Sequence, residues 1–313
     1  MLYYWESGYL AVKTSTYTEQ TSLGFKKVLP FALIMPCKFE HITLIPLAIS
    51  SISLAQIQPS QKICVADNFT FPIRYQVWLQ KNGWEVHNLT SGTGPGAAKN
   101  FGISFLQNEI EFVTFHDADD LSHPLRFQQQ FNHLNDNDLD LVGCQSLFYK
   151  FDLERMKMKK IMRSPKKPSE HNKIARIHHL PAVGIYFATI LYRREVLTKV
   201  GSFNHQARGE DWDYFGRALS KGFKVGSVDQ PLYLYQHPLF DKPETYRKDQ
   251  EVLGKQFVII RYTLHIFKRL FWSSIKYPRY IINDWTFVSS NIIERAKESR
   301  EHLENQEGLK EIE

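Results

Sequence analysis

The most informative stretch of the chain is Phe112-Val113-Thr114-Phe115-His116-Asp117-Ala118-Asp119-Asp120. Four mostly apolar residues of strand character deliver three carboxylates to one point. Such a cluster repels itself unless a cation lies within it, and oxygen ligands with an open face suit Mg²⁺ or Mn²⁺ holding a diphosphate. The alternative is that Asp120 or Ser122 only caps the next helix while the other acids are solvated.

Two further clusters flank this run in the sequence. The first is Gly94-Pro95-Gly96-Ala97-Ala98-Lys99-Asn100-Phe101-Gly102, a tight turn of small residues that enters a helix carrying a cation. That arrangement accepts phosphate. The second is Gly209-Glu210-Asp211-Trp212-Asp213-Tyr214-Phe215, in which a glycine releases the chain into an acidic pair followed by an aromatic, helical segment.

In this order the clusters resemble the motifs of family 2 of the glycosyltransferases. Gly94 to Asn100 matches the family's glycine, three residues and Ala-Arg-Asn; Asp117 to Asp120 matches its Asp-x-Asp-Asp; and Gly209 to Asp211 matches its Gly-Glu-Asp. The resemblance covers roughly residues 28 to 240. It implies an α/β chain with the GT-A fold, a Rossmann-like and mostly parallel central sheet flanked by helices, with a C-terminal helical appendage.

The resemblance also implies a division of the chain. Residues 1–27 would be an extension and residues 28–240 the GT-A domain, with a nucleotide half over about 28–148 and an acceptor half over about 149–240. Residues 241–313 would be a C-terminal helical segment. The implied reaction is inverting transfer of a sugar from a UDP-sugar, or another nucleotide-diphospho-sugar, to a saccharide or lipid-linked acceptor in polysaccharide biosynthesis.

Site residues follow from the same resemblance. The donor would be bound by Pro36, Asp67, Lys99, Asn100 and Asp117. Mn²⁺ or Mg²⁺ would be held by Asp117 and Asp119, with Asp120 beside it or ligating. His237 is either a third ligand or a hydrogen-bonded structural histidine. Two positions depart from the family: Lys99 replaces the usual Arg, and Asn68-Phe69 follows Asp67 where Gly-Ser is usual.

The acidic pair would supply the proton chemistry. Asp211 would be the general base, and Glu210 would hold the helix start or an acceptor hydroxyl. Alternatively, both acids only interact with the helix dipole. Trp212 and Tyr214 would form the floor of the acceptor site, or else pack in the core.

Alternating strand and helix patterns support a parallel sheet independently of the resemblance. Strands are predicted at residues 28–35, 62–67, 84–87, 112–115, 140–148, 183–191, 224–228 and 232–235. Helices are predicted at residues 42–56, 71–82, 96–108, 124–134 and 193–199, and from 210 onward. Asp67 and Asp117 both follow strands, and ligands of such sheets bind at the carboxyl ends of the strands.

Charge is unevenly distributed in a chain of 313 residues with formal net charge +6. Ten Lys or Arg residues lie between Lys150 and His179 against three acids, which indicates either an anionic partner or a solvated, flexible insertion. The three cysteines, Cys37, Cys64 and Cys144, are scattered and predict core positions in a reducing compartment. With no leader pattern and no long apolar run, we expect a cytoplasmic protein, or one held at the cytosolic face of a membrane.

The stretch from Val252 to Ile293 is aromatic and basic. It predicts either a helix lying on an anionic membrane or a helix packed on the domain or on the partner of a homodimer. Two rival functions are a nucleotidyltransferase and a non-enzymatic basic protein that binds membrane or nucleic acid. A nucleotidyltransferase would have a glycine-rich loop after the first strand, and Met35 to Glu40 contains no glycine. A protein that binds nucleic acid would have stacking aromatic residues in its basic segment, and that segment has Phe151 alone. We therefore expect no nucleic-acid partner.

Overall fold

A computed structural model describes residues 26–91, 94–178, 184–204, 209–236 and 279–305. The first half alternates strands and helices. Its strands are β1 (Lys27–Cys37), β2 (Ile57–Asp67), β3 (Glu85–Leu89), β4 (Phe112–Phe115) and β5 (Leu121–Ser122). Its helices are a 3₁₀ turn (Phe39–Leu44), α1 (Ile45–Ser53), α2 (Ile73–Lys81), α3 (Pro95–Ile103) and α4 (Arg126–Asp136).

The second half is more mixed. Its strands are β6 (Leu141–Asp152), β7 (Lys157–Arg163), β8 (Leu191–Arg193) and β9 (Val225–Gln236). Its helices are α5 (His171–His178), a 3₁₀ turn (Phe187–Thr189), α6 (Arg194–Val200), α7 (Glu210–Ser220) and α8 (Arg279–Asn305).

The strands form one mixed sheet in the order β3-β2-β1-β4-β8-β6-β9-β5, with β7 paired to β6. The pairs β3-β2, β2-β1, β1-β4 and β6-β9 are parallel, whereas β8, β5 and β7 run antiparallel to their neighbours. The carboxyl ends of β1, β2 and β4 therefore meet at one edge, where ligands of such sheets bind.

Both faces of the sheet are covered, as β1 shows. Phe31, Leu33 and Met35 are buried in the core on one side, and Ala32 and Ile34 in the core on the other. A strand buried on both faces is a continuous apolar run rather than an alternating one. This burial explains why residues 28–35 were predictable as a strand from the sequence.

Several predicted elements were wrong in part. The strand expected at residues 183–191 is a 3₁₀ turn followed by a strand of three residues, β8. The strands expected at 224–228 and 232–235 are one strand, β9, whose register against β6 shifts before Pro231 and again before Tyr233. The basic run is not simply a flexible insertion, because it forms β7 and α5, and Met158 and Ile161 pack on the cluster that α8 covers.

Helix α8 packs on the domain. Trp285, Val288, Ile292 and Ala296 are buried with Leu47 of α1 and Leu121 of β5. The Trp285 indole Nε1 donates to the Pro231 carbonyl at 2.7 Å. For the part of the aromatic-basic stretch from Trp285 to Ile292, packing on the domain is thus the correct alternative. Most of that stretch lies outside the described residues. Within the described ranges, no helix combines the length and apolarity that crossing a bilayer requires.

Candidate active site

The acid loop, residues 117–120, follows β4 at the edge where three parallel strands end. Neighbouring strands hold it in shape. The backbone N–H of Gln236 in β9 donates to Asp120 Oδ1 at 2.8 Å, and the Tyr149 hydroxyl of β6 donates to the Asp119 carbonyl. The backbone N–H of Asp117 donates to the Tyr233 hydroxyl at 3.3 Å. The strands β6 and β9 therefore hold in place the loop that carries the three carboxylates.

The acid loop carries strong electrostatic stress. Burial and the neighbouring Asp119 carboxylate raise the pKa of Asp117 from 3.8 to about 7, although Lys99 opposes the increase. Burial likewise raises the pKa of Asp119, and burial together with Asp119 and Asp117 raises that of Asp120. A buried carboxylate beside others of like charge resists ionisation, and a bound cation would relieve this.

Behind the loop lies a buried cation that sequence reasoning missed. Arg126 is fully buried, and its guanidinium donates to Ser122 Oγ at 2.8 Å, to Gln130 Oε1 and to Thr114 Oγ1. It also lies over the Tyr233 ring at 4.8 Å. Burial, together with the charge of Arg126, lowers the pKa of the fully buried His116 to about 3. The only hint in the sequence was the four-residue spacing from Ser122 to Arg126 and Gln130.

The turn before α3 approaches the neighbouring loops closely. Gly94 has a φ of +105°, which favours glycine, and its N–H donates to Asp67 Oδ1 at the end of β2. A Cβ on Gly96 would lie 2.3 Å from the Asn204 carbonyl oxygen, so only glycine fits at that position. Asp67 is therefore held at the N-terminus of α3, and α3 is pressed against the loop that leads to α7.

Lys99 connects α3 to the acidic pair of α7. Its ammonium Nζ lies 3.0 Å from Glu210 Oε1 and 2.5 Å from Asp211 Oδ1, and the residue is 5% exposed. Burial alone would lower the pKa of Lys99, but Asp211, Glu210 and Asp117 raise it above its ordinary value. The predicted donor-binding cation is thus paired with the predicted catalytic acids.

Two predicted site residues serve packing in this structure. The Asn100 side chain makes two 2.8 Å hydrogen bonds with the backbone of Phe203, so its amide is occupied. Tyr214 is fully buried and stacks on Phe203 with ring centroids 3.8 Å apart. Of the two alternatives for Tyr214, the acceptor floor and the core, the structure thus has the core, because no face of its ring reaches solvent.

Trp212 has the position that Tyr214 lacks. It is 37% exposed, and its ring lies 4.5 Å from the His178 ring at the end of α5. One face is thus backed by protein. A second exposed aromatic, Phe39, follows β1, is 63% exposed and meets Phe69 edge-on at 5.7 Å beside the end of β2. Sequence reasoning did not single out Phe39; its place directly after a predicted strand was the available signal. Pro36 lies in β1 opposite Val65 of β2.

The carboxylate oxygens of Asp117 and Asp119 are ligands of the type that a divalent cation prefers, and burial raises the pKa of both groups. Asp119 Oδ1 lies 3.7 Å from His41 Nδ1. In the ranges described, no three His, Cys, Asp or Glu side chains already converge as ligands. His237, the predicted third ligand, lies outside those ranges.

Distant relatives of this chain occur among curated proteins. An uncharacterized glycosyltransferase of Methanocaldococcus jannaschii is 24% identical over 160 residues, which are 51% of this chain and 52% of that protein. The minor teichoic acid biosynthesis protein GgaA of Bacillus subtilis is 23% identical over 185 residues, 58% of this chain and 37% of that protein. The chain thus aligns with about half or less of these relatives.

Solved structures show a similar fold. S. aureus TarS, residues 1–349, superposes with a TM-score of 0.53 at 17% identity, covering 86% of this chain and 81% of that one. The mannosyltransferase PcManGT from Pyrobaculum calidifontis, in complex with GDP-Man and Mn²⁺, gives a TM-score of 0.52 at 14% identity, covering 86% and 73%. At such identities the similarity establishes the GT-A fold alone.

The family is established by sequence. The model of glycosyl transferase family 2 matches residues 32–201, more than half of the chain, and includes the acid loop and α3. The match ends before Glu210 and Asp211, whose proximity to α3 comes from the structure. On this match, the chain belongs to the family 2 glycosyltransferases.

Proposed function

We propose that this enzyme transfers a sugar from a UDP-sugar, or another nucleotide-diphospho-sugar, to a saccharide or lipid-linked acceptor, with inversion and with a divalent metal. One observation carries the proposal. Lys99 bonds to Glu210 and Asp211 of α7 and also interacts with Asp117 of the acid loop, and both α7 acids contribute to the raised pKa of Asp117. This proximity supports a proposal in which the cation site and the base would be neighbours.

The donor would lie along the carboxyl ends of β1, β2 and β4. Asp67, whose Oδ1 accepts a hydrogen bond from the N–H of Gly94, would also accept hydrogen bonds from the nucleoside. The exposed ring of Phe39 and its partner Phe69 offer a surface for a planar base. Pro36 borders the same edge, and Asp117 would face the ribose or the metal. TarS has been solved with UDP-GlcNAc and PcManGT with GDP-Man, which supports a nucleotide sugar without deciding the base.

Asp117 and Asp119 would hold Mn²⁺ or Mg²⁺ through their carboxylates. When bound, the metal neutralises the diphosphate leaving group as a Lewis acid. The chain's own part is to keep the acid loop fixed through Tyr149 and Gln236. Asp120 accepts a hydrogen bond from the Gln236 N–H and would stabilise the loop beside the metal. His237 remains a prediction.

Asp211 would take the proton of the acceptor hydroxyl, and Glu210 beside it would hold the helix start or that hydroxyl. A base on one face of the sugar and a diphosphate on the other give inversion, hence a β-linkage from an α-linked donor. A carboxylate suffices when proton loss lags behind bond formation at an oxocarbenium-like centre.

Trp212 would form the acceptor floor, with its ring backed by His178. The acceptor would be a growing saccharide or a lipid-linked one, and the relationship to GgaA supports a role in polysaccharide biosynthesis. The exposed Lys157 and Lys160 of β7 would assist peripheral contact with an anionic membrane at the cytosolic face.

Nucleotide release tests the proposal. The protein is incubated with UDP-GlcNAc or GDP-mannose, each with Mn²⁺ and with EDTA, and free UDP or GDP is measured with and without a panel of saccharide acceptors. We expect metal-dependent release of one nucleotide, abolished in Asp119→Ala. Release that is equal in EDTA would refute the metal dependence, and release unchanged in Asp119→Ala would refute the site.

A further inference from the structure

Lys99 stands in the Ala-x-Asn motif that first suggested a diphosphate-binding cation, yet its contacts are with protein acids. An ammonium group has three N–H donors, and two of them are directed at Glu210 and Asp211. The rings of Phe203 and Phe115 lie 5.3 and 5.7 Å from Nζ. Acids and aromatic rings thus surround the charge on several sides, in a position that solvent scarcely reaches.

The residues around Lys99 are closely packed. Asn100 fastens α3 to the backbone of Phe203, and Phe203 in turn stacks on Tyr214 of α7. Gly96 lets α3 approach so closely that a Cβ there would lie 3.4 Å from the Cβ of Glu210. These contacts hold α3 close to the start of α7, and the Lys99 ammonium between them already bonds to both acids of α7.

We propose that Lys99 is a positioning residue for Asp211, fixing the carboxylate of the proposed base across the two helices rather than binding the donor diphosphate. This inference rests on the proposed function for the role of Asp211. Without the cation, Glu210 and Asp211 would repel each other at the start of α7, and the Asp211 carboxylate would turn away from the acceptor. Donor affinity, which depends on the acid loop and Asp67, would be unaffected.

The decisive variants are Lys99→Met, which keeps length and loses charge, and Lys99→Arg, which keeps the charge at a position where the family usually has Arg. We expect Lys99→Met to lower kcat at least 10-fold with the donor KM and the Kd for UDP with Mg²⁺ within 2-fold of the parent. Lys99→Arg should recover most of the lost kcat. Lys62→Met is the matched control, since Lys62 is half-buried on β2 and bonds only to the Asn82 carbonyl among the described residues.

A 10-fold or greater increase in the Kd for UDP in Lys99→Met, with kcat preserved, would overturn the inference and make Lys99 a diphosphate ligand. Should Lys99→Met fail to fold, the double variant Lys99→Met with Glu210→Gln removes one buried negative charge together with the positive one, and the same UDP titration applies. If the parent transfers no sugar, the proposed function fails separately. In that case the Tm values of Lys99→Met, Asp211→Asn and the double variant are compared. Non-additive shifts in Tm would support the contact between Lys99 and Asp211, and additive shifts would contradict it.

Discussion

Replacing Trp285 tests whether α8 is a structural part of the domain. The indole is almost fully buried beside α1 and β5, meets the His123 ring at 5.0 Å and donates to the Pro231 carbonyl at 2.7 Å. Truncating a buried Trp to Ala costs about 3–5 kcal/mol, and leaving a buried carbonyl without its donor adds about 1 kcal/mol. We therefore expect Trp285→Ala to lower the free energy of unfolding by about 4–6 kcal/mol.

Urea denaturation measures this loss when unfolding is followed by far-UV circular dichroism, whose signal does not depend on tryptophan fluorescence. In thermal unfolding, Tm should fall by on the order of 10 °C. Trp285→Phe keeps most of the packing and loses the hydrogen bond, so it should cost about 1–2 kcal/mol. Phe287→Ala is the matched control, since Phe287 is 48% exposed on the same helix and should be nearly neutral. A loss below about 1 kcal/mol in Trp285→Ala would show that α8 is not docked, and would return it to the membrane-bound alternative.

The other predictions concern the site and the membrane. Asp119→Ala should abolish metal-dependent UDP binding while the protein still unfolds cooperatively; undiminished UDP affinity with Mn²⁺ in calorimetry would remove Asp119 from the metal site. Asp211→Asn should bind donor normally but turn over at least about 10²-fold more slowly, and near-normal turnover would make it a helix-start residue. The protein should co-sediment with anionic vesicles at low salt and dissociate at high salt. Failure to co-sediment at low salt would favour a soluble acceptor.

Most of the nucleotide half could be predicted because its patterns are local. β1, β4 and the end of β2 are apolar runs, and Asp67 ends β2 while Asp117 follows β4, so the shared edge could be inferred from chain order alone. The polar first half of β2, from Ile57 to Gln61, was not predicted. The acid loop was found for the same reason: its three carboxylates are adjacent in sequence.

The missed features depend on partners far apart in the chain. Lys99 and Asp211 are 112 residues apart, and nothing near Lys99 in sequence indicates that its charge is directed at α7. Tyr214 lies in a helix with acids and aromatics on its exposed side, and only the stack on Phe203 shows which ring points inward. The strand β7 was missed because its apolar residues, Met158 and Ile161, are interspersed with lysines and pack on the cluster that α8 completes.

The bonds that Tyr149 and Gln236 make to the acid loop have a thermodynamic consequence for any ligand that binds there. When a loop becomes ordered only on binding, the conformational entropy that it loses lowers the affinity for the ligand, by about 1–2 kcal/mol for each residue fixed. Hydrogen bonds from β6 and β9 already hold this loop before a ligand binds, so the entropy is lost during folding. A larger part of the free energy of the ligand's contacts therefore appears as affinity. Small fragments, whose few contacts cannot organise a protein, should therefore find a formed binding surface in the ligand-free enzyme.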